Sequence, residues 1–293
     1  MQQNSHYLRD TLLTAIAPML WGTTYILTTQ VLPPDRPYTA AVIRVLPAGL
    51  ILLAWARSMP ARGWWLKLGI LAALNIGIFQ ALLFIAAYRL PGGLAAIFGA
   101  LQPLITMALA SLANRRSPGW RMISVALLGL PGMAMLLWAP GMQWDLTGVI
   151  AAFAGVCCVS AGAFLVRRWQ PPMSVIALTG WQCALGGLML LPLALLLEPS
   201  LPALSLQQIA GYSYLSGFGA LLAYVLWIRG IQKLPLAASS SLALLSPVVA
   251  TILGWVILDQ KLAAPALTGM AIVLLSVYLV QREAAKSIVP SNR

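Results

Sequence analysis

Arg44, in the stretch AAVIRVLPAGL at 40 to 50, is the one charged residue set well inside a long apolar run. It lies about six residues into that run, roughly 9 Å deep at 1.5 Å per residue of helix. A charge at that depth in hydrocarbon costs several kcal/mol, which makes it the first functional candidate. Two chemistries fit: the guanidinium lines an aqueous cavity and attracts a carboxylate, or it reaches outward to rest among lipid headgroups. The acids, Asp10, Asp35, Asp145, Glu198, Asp259 and Glu283, all fall at the ends of apolar runs or between them. Proton-coupled carriers generally embed an acid or histidine in the membrane. None is expected here, which favours a facilitator driven by its substrate's own gradient. His6 lies near the N-terminus, and Cys157, Cys158 and Cys183 sit in apolar runs without metal-ligand spacing. The cysteines read as small core hydrophobes; no catalytic residue, metal or cofactor is expected.

Neutral polar and aromatic residues supply the remaining chemistry, and helical angle sorts them. Trp21, Thr24, Tyr25 and Thr28 share one stripe, spaced i, i+3, i+4, i+7. Gly69, Ala73, Gly77 and Ala81 make a small-residue face suited to close helix contact. Asn75 and Phe79 lie opposite that face and are expected to line a pore, whereas Gln80 lies nearer it and reads as a packing hydrogen bonder. Phe98 aligns with Gln102, Ser160 with Phe153, Cys157 and Phe164, and Tyr224 and Trp227 with Ser213 and Gly217. Each stripe has a plain packing reading as well, because polar residues between membrane helices often only bind their neighbours. Together they suit a small amphipathic solute, whose apolar part stacks on rings while amides and hydroxyls replace lost water.

The elements that must position these residues follow from composition. Of the 293 residues 60% are hydrophobic and only 8% charged, against about 25% charged in soluble proteins. The apolar runs are continuous rather than alternating, which indicates membrane helices and not a barrel. They place spans near 11 to 29, 38 to 56, 65 to 87, 92 to 112, 120 to 138, 146 to 166, 174 to 197, 207 to 228, 236 to 258 and 264 to 281. The first shows no cleavage pattern and reads as a retained span. With the N-terminus inside, cytoplasmic segments hold fourteen lysines and arginines, and outside segments hold three: Arg36, Arg89 and Lys261. That bias puts both termini in the cytoplasm. The net charge of +12 is thereby a topology signal rather than the mark of a nucleic-acid partner.

The chain also repeats. Sliding it by 144 residues lays YRLPGGLAAIFGALQPLITMALASL (88 to 112) over QKLPLAASSSLALLSPVVATILGWV (232 to 256), so that Pro103 meets Pro247 and Gln102 meets Ser246. An offset of 137 pairs Pro34 with Pro171 and Gly49 with Gly186, and one of 140 pairs Gly129 with Gly269. Five spans per half is an odd number, so the second copy enters the membrane from the opposite side. The expected fold is an all-α membrane protein of ten helices in a 5+5 inverted repeat, with residues 1 to 140 as the first copy and 141 to 293 as the second. Pro103 and Pro247 interrupt equivalent helices and read as matched hinge points. The residue before each, Gln102 and Ser246, differs between the copies and is where selectivity is expected.

LWGTTYI at 20 to 26, AAVIRVLPAGL at 40 to 50, LQPLITMALA at 101 to 110 and LLSPVVATILGWVILDQKL at 244 to 262 resemble the EamA-type transporters of the drug/metabolite transporter superfamily. The resemblance covers nearly the whole chain and implies a bacterial inner-membrane exporter of small metabolites, amino acids and aromatic ones among them. It implies a central cavity lined here by Trp21, Tyr25, Asn75, Phe79, Phe98, Gln102, Ser160, Tyr224 and Trp227, with Arg44 matching the family's second-span arginine. The chain departs where many relatives carry a Gly-Glu pair at the ends of the fourth and ninth spans: it has Asn114 and Arg115, then Asp259 and Gln260. The reading is a secondary transporter working by alternating access, not an enzyme, whose partners are a small-molecule substrate and the lipid bilayer, as a monomer or homodimer. An exporter of drugs or other lipophilic solutes and a non-transport membrane subunit are the competing readings.

Overall fold

The structure, a computed structural model, describes residues 2–90, 94–115, 118–137, 145–259 and 263–288; of residues 2–4, 25, 87–88, 94–96 and 287–288 it describes the backbone alone. The side chain of Tyr25 lies outside what is described. Among the described residues are ten helices long and apolar enough to cross a membrane: Ser5–Gln30, Pro37–Ala56, Arg62–Ala86, Ile97–Asn114, Trp120–Leu137, Leu146–Trp169, Val175–Leu197, Leu206–Lys233, Leu236–Leu258 and Ala264–Lys286. The protein is an all-helical, multi-pass membrane protein. The Tyr7 hydroxyl donates to the Gln281 carbonyl oxygen and side chain at 3.1 and 2.8 Å, which puts both described chain ends on one side, the terminal side.

Span ends differ from the expected ones where charges continue a helix. The first helix starts well before residue 11, because Asp10 is paired within the protein. The eighth runs on through Arg229 to Lys233, with a base in its last turn that favours the negative helix end. Side chains close several span N-termini: Asp145 accepts from the Gly148 nitrogen, Ser174 accepts from the Ala177 nitrogen, and Ser205 forms a capping box with Gln208.

The helices interlock across the halves. The second packs on the seventh, the third on the sixth, the fifth on the tenth, the fourth on the sixth and ninth, and the first on the eighth and ninth. Exchanging each span with the one five later leaves this set of pairs unchanged. Glycines permit close approaches between spans: a β-carbon on Gly49 would stand 2.5 Å from the Ala184 nitrogen, and one on Gly22 would stand 2.6 Å from the Ser246 oxygen.

Three kinds of interruption fall in register between the halves. The fourth span breaks at Ala100 and Leu101 and resumes as Gln102–Asn114; the ninth breaks at Ala243 and Leu244 and resumes as Leu245–Leu258. Pro103 and Pro247 thus lie in the first turn of a new helix, where their missing N–H groups have no intrahelical partner in any case. The third and eighth spans each contain a π-helical turn, Ala73–Gly77 and Gly217–Leu222, whose starts lie 217 − 73 = 144 residues apart. The fourth and ninth spans end on residues in the left-handed conformation, Arg115 at φ 51° and Asp259 at φ 50°. Each lies within one of the two pairs that depart from the Gly-Glu pattern, and glycine would adopt that conformation without strain. Arg115→Gly is expected to stabilise the protein by about 1 kcal/mol, read as a higher unfolding temperature in detergent.

The π-turn corrects one expectation. Its wider turn rotates everything beyond it, so Gly69 and Gly77 do not share a packing face. A β-carbon on Gly69 meets nothing within 4 Å, whereas one on Gly77 would stand 3.1 Å from the Met189 sulfur of the seventh span.

Candidate functional site

The π-turn of the eighth span builds the centre of the site. Where hydrogen bonding slips from i+4 to i+5, a backbone carbonyl is freed from its helix. The Gly219 carbonyl oxygen accepts from two side chains of the other half: Trp21 Nε1 at 3.1 Å and Arg44 Nη2 at 2.9 Å. Arg44 therefore turns inward across the bundle to the eighth span.

Around this oxygen lie three aromatic rings. Trp21 stands 5.4 Å from Tyr224 and 5.2 Å from Trp227, centroid to centroid, in tilted and edge-on arrangements that suit ring quadrupoles. The Arg44 guanidinium carbon lies 5.9 Å from the Tyr224 ring centre, within cation–π range. Gln80 Nε2 donates to the Tyr224 hydroxyl at 3.4 Å. Arg44 Nε is buried without a partner, and among the described residues no carboxylate lies within ion-pair distance of this arginine.

The other expected residues are distributed around this centre. Asn75, in the π-turn of the third span, donates through Nδ2 to Gln182 Oε1 of the seventh at 2.7 Å and packs on Gly162 of the sixth. Phe79 faces Gly155 of the sixth span, and Phe98 joins a separate cluster with Ala86, Leu90 and Ala152. Gln102 and Ser160 are buried, with Gln102 Nε2 and Ser160 Oγ lacking partners among the described residues. Ser246 backs the first span at Gly22, next to Trp21. Asn75→Ala is expected to cost about 1–3 kcal/mol by orphaning the buried Gln182, and pairing Asn75→Leu with Gln182→Leu to recover most of it; unfolding midpoints check both.

Sequence reasoning missed the Gly219 carbonyl, Gln182 and the pairing of Asp10, since none carries a signal in residue type. Among the described residues no cluster of three His, Cys, Asp or Glu side chains could hold a metal.

Comparison with known proteins places this architecture. The EamA-like transporter family matches the chain twice, over residues 10–138 and 146–282. The chain belongs to that family. It is a transporter of the EamA type. It is 40% identical over 267 residues to protein PecM of Dickeya dadantii, covering 90% of each chain. To the uncharacterized inner membrane transporter YedA of Escherichia coli it is 24% identical, over 89% of this chain and 87% of YedA. A solved crystal structure of 19% identity superposes with a TM-score of 0.79, over 96% of this chain and 99% of its own, and shows the same fold.

Both ends of this EamA-type transporter are tied across spans; on the far side Arg89 Nη1 lies 3.6 Å from Asp145 Oδ2, joining the third span to the sixth. On the terminal side Asp10 Oδ1 accepts from Arg229 Nη2 at 2.6 Å, joining the first and eighth spans, and Thr14 packs on Gly230 one turn further in. Gln281 Nε2 donates to the Ala238 oxygen at 2.8 Å and to Ser241 at 3.2 Å, tying the tenth span to the ninth. On the far side a pocket of about 440 Å³ is lined by Asp35, Tyr38, Phe84, Arg89 and Glu198 among others. Glu198 accepts from the Tyr38 and Thr39 nitrogens at 2.5 and 2.7 Å, so it caps the second span rather than pairing with an arginine. Tyr38 and Phe84, edge-on at 6.2 Å, belong to the same packed cluster as Trp21 and Tyr224, which links the pocket to the aromatic centre.

Proposed function

We propose that this EamA-type transporter exports amino acids, aromatic ones included, or similar small amphipathic metabolites across the bacterial inner membrane by alternating access. The observation that carries this reading is the central group of Trp21, Arg44, Tyr224 and Trp227, in which the two halves of the chain meet through rings and one shared carbonyl. Rings and a fixed set of donors, with Tyr224 and Trp227 buried and Trp21 and Arg44 partly exposed, are what an amphipathic solute needs for shape and orientation. Ties at both ends support alternation: the Asp10–Arg229 pair on the terminal side and the Arg89–Asp145 pair with the Glu198 cap on the far side are contacts that the two halves can break in turn.

The two five-span halves act as inverted repeats that rock about the site, with the helix breaks before Pro103 and Pro247 as matched hinges. The twofold family match and the 144-residue spacing of the π-turns support that division. The terminal side faces the cytoplasm, as the fourteen-to-three distribution of lysine and arginine indicates. Movement follows the substrate's own gradient, without an embedded proton site and without enzymatic chemistry.

Uptake of labelled amino acids into proteoliposomes, with and without an imposed pH gradient, tests this. Saturable uptake of at least one aromatic amino acid in the absence of the gradient is expected. Strict dependence on the gradient would overturn the facilitator, and failure to move any amino acid would remove that substrate class.

A further inference from the structure

The charge balance of the central site narrows the cargo. The guanidinium of Arg44 is half-buried and without a carboxylate among the described residues at ion-pair distance. Nη2 of its guanidinium is held by the Gly219 carbonyl, which Trp21 shares, and the Tyr224 ring centre lies 5.9 Å from its central carbon, while Nε is buried and unpartnered among the described residues. Fixing Nη2 on a backbone oxygen pre-orients the fork and leaves a donor for an incoming anion. The six acids of the chain fall outside this group: Asp10 pairs with Arg229, Asp145 caps the sixth span, Glu198 caps the second and Glu283 pairs with Lys286, while Asp35 and Asp259 sit at helix ends.

We infer that the preferred cargo is a net-anionic, planar aromatic solute, its acidic group taken by Arg44 and its ring by the Trp21, Tyr224 and Trp227 cluster. This rests on the reading of that cluster as the cargo site. An anion supplies the countercharge the arginine lacks, whereas the ammonium of a zwitterion brings a second positive charge to a site that offers it no carboxylate. Neutral aromatics keep the stacking and forgo the charge-assisted hydrogen bond.

Titration calorimetry on the detergent-purified protein separates these cases with three probes of one shape: 4-hydroxyphenylacetate, 4-hydroxyphenylacetamide and tyrosine. The acid is expected to bind the wild type about tenfold more tightly than the amide or the zwitterion, a difference of about 1.4 kcal/mol. Arg44→Gln is expected to bring the acid to the affinity of the amide while leaving the amide unchanged, and Arg44→Lys to restore part of the preference. Equal binding of acid and amide by the wild type, or an undiminished preference in Arg44→Gln, would overturn the inference. Where Arg44→Gln does not fold, the wild-type comparison and Arg44→Lys decide. Binding of aliphatic solutes with none of the three aromatic probes would instead remove the aromatic cargo site itself.

Discussion

Loss of either partner of the Asp10 and Arg229 pair is expected to open the terminal side of the transporter. The pair joins the first and eighth spans at 2.6 Å, with side-chain exposures of 13% and 24%, so water screens it only in part. Removing Asp10 strands Arg229, and removing Arg229 leaves Asp10 only the more distant Arg9 at 3.6 Å; the cost lies between the small value of surface pairs and the larger one of fully buried pairs, about 1–3 kcal/mol. At 1.4 kcal/mol per tenfold, that shifts the closed-to-open ratio of this end by roughly 5- to 150-fold. Thr14, fully buried against Gly230 just inside the pair, reports the change. In Thr14→Cys protein, labelling by an impermeant maleimide applied to the terminal side is expected to accelerate on Asp10→Ala or Arg229→Ala. The exchanged pair, Asp10→Arg with Arg229→Asp, is expected to restore slow labelling. Unchanged labelling in all variants would show that this ion pair does not hold the end shut.

Gly269→Val is expected to cost about 3 kcal/mol, the upper part of the range for overpacking, and with it most of the folded yield. A β-carbon there would overlap the Leu136 nitrogen and stand 2.6 Å from the Gly132 oxygen. Both obstacles are backbone, so no side-chain rotation relieves them; the fifth and tenth spans must separate. Gly69→Ala is the control, because its new methyl group meets nothing within 4 Å; it is expected to change stability by less than about 0.5 kcal/mol. Unfolding temperatures in detergent compare the two directly. Similar midpoints would contradict the close crossing of these two spans.

The ten spans were legible in the sequence because lipid imposes a simple requirement, long apolar runs with backbone groups satisfied inside the helix. Their internal geometry was less so. The small-residue face of the third span was read at a uniform 3.6 residues per turn, and the π-turn at Ala73–Gly77 put Gly69 and Gly77 on different faces. No residue type announces such a turn. For the same reason the Gly219 carbonyl, the oxygen at which Trp21 and Arg44 meet, had no signature beyond a glycine in an apolar helix. Arg44 itself stood out from its run by cost alone, while its direction depended on a helix 175 residues away. Asp10 was expected just before the first span, yet the helix runs through it and its partner lies on a helix 219 residues later, a relation that only packing determines. Gln102 and Pro103 show the same division: the helix break before them follows the repeat, but the burial of the Gln102 amide without a partner belongs to the folded bundle.

Counterflow in proteoliposomes bears most directly on the claim that cargo binds where Trp21, Arg44, Tyr224 and Trp227 meet. Vesicles preloaded with unlabelled 4-hydroxyphenylacetate or tyrosine are offered the same compound in labelled form, with wild-type protein or with Trp21→Leu or Tyr224→Leu variants shown to be folded by size exclusion. The expected result is a transient accumulation of label with the wild type and a loss of about tenfold or more in each variant, in keeping with a buried aromatic anchor. Full counterflow in the folded variants would place the cargo elsewhere in the bundle and contradict the account.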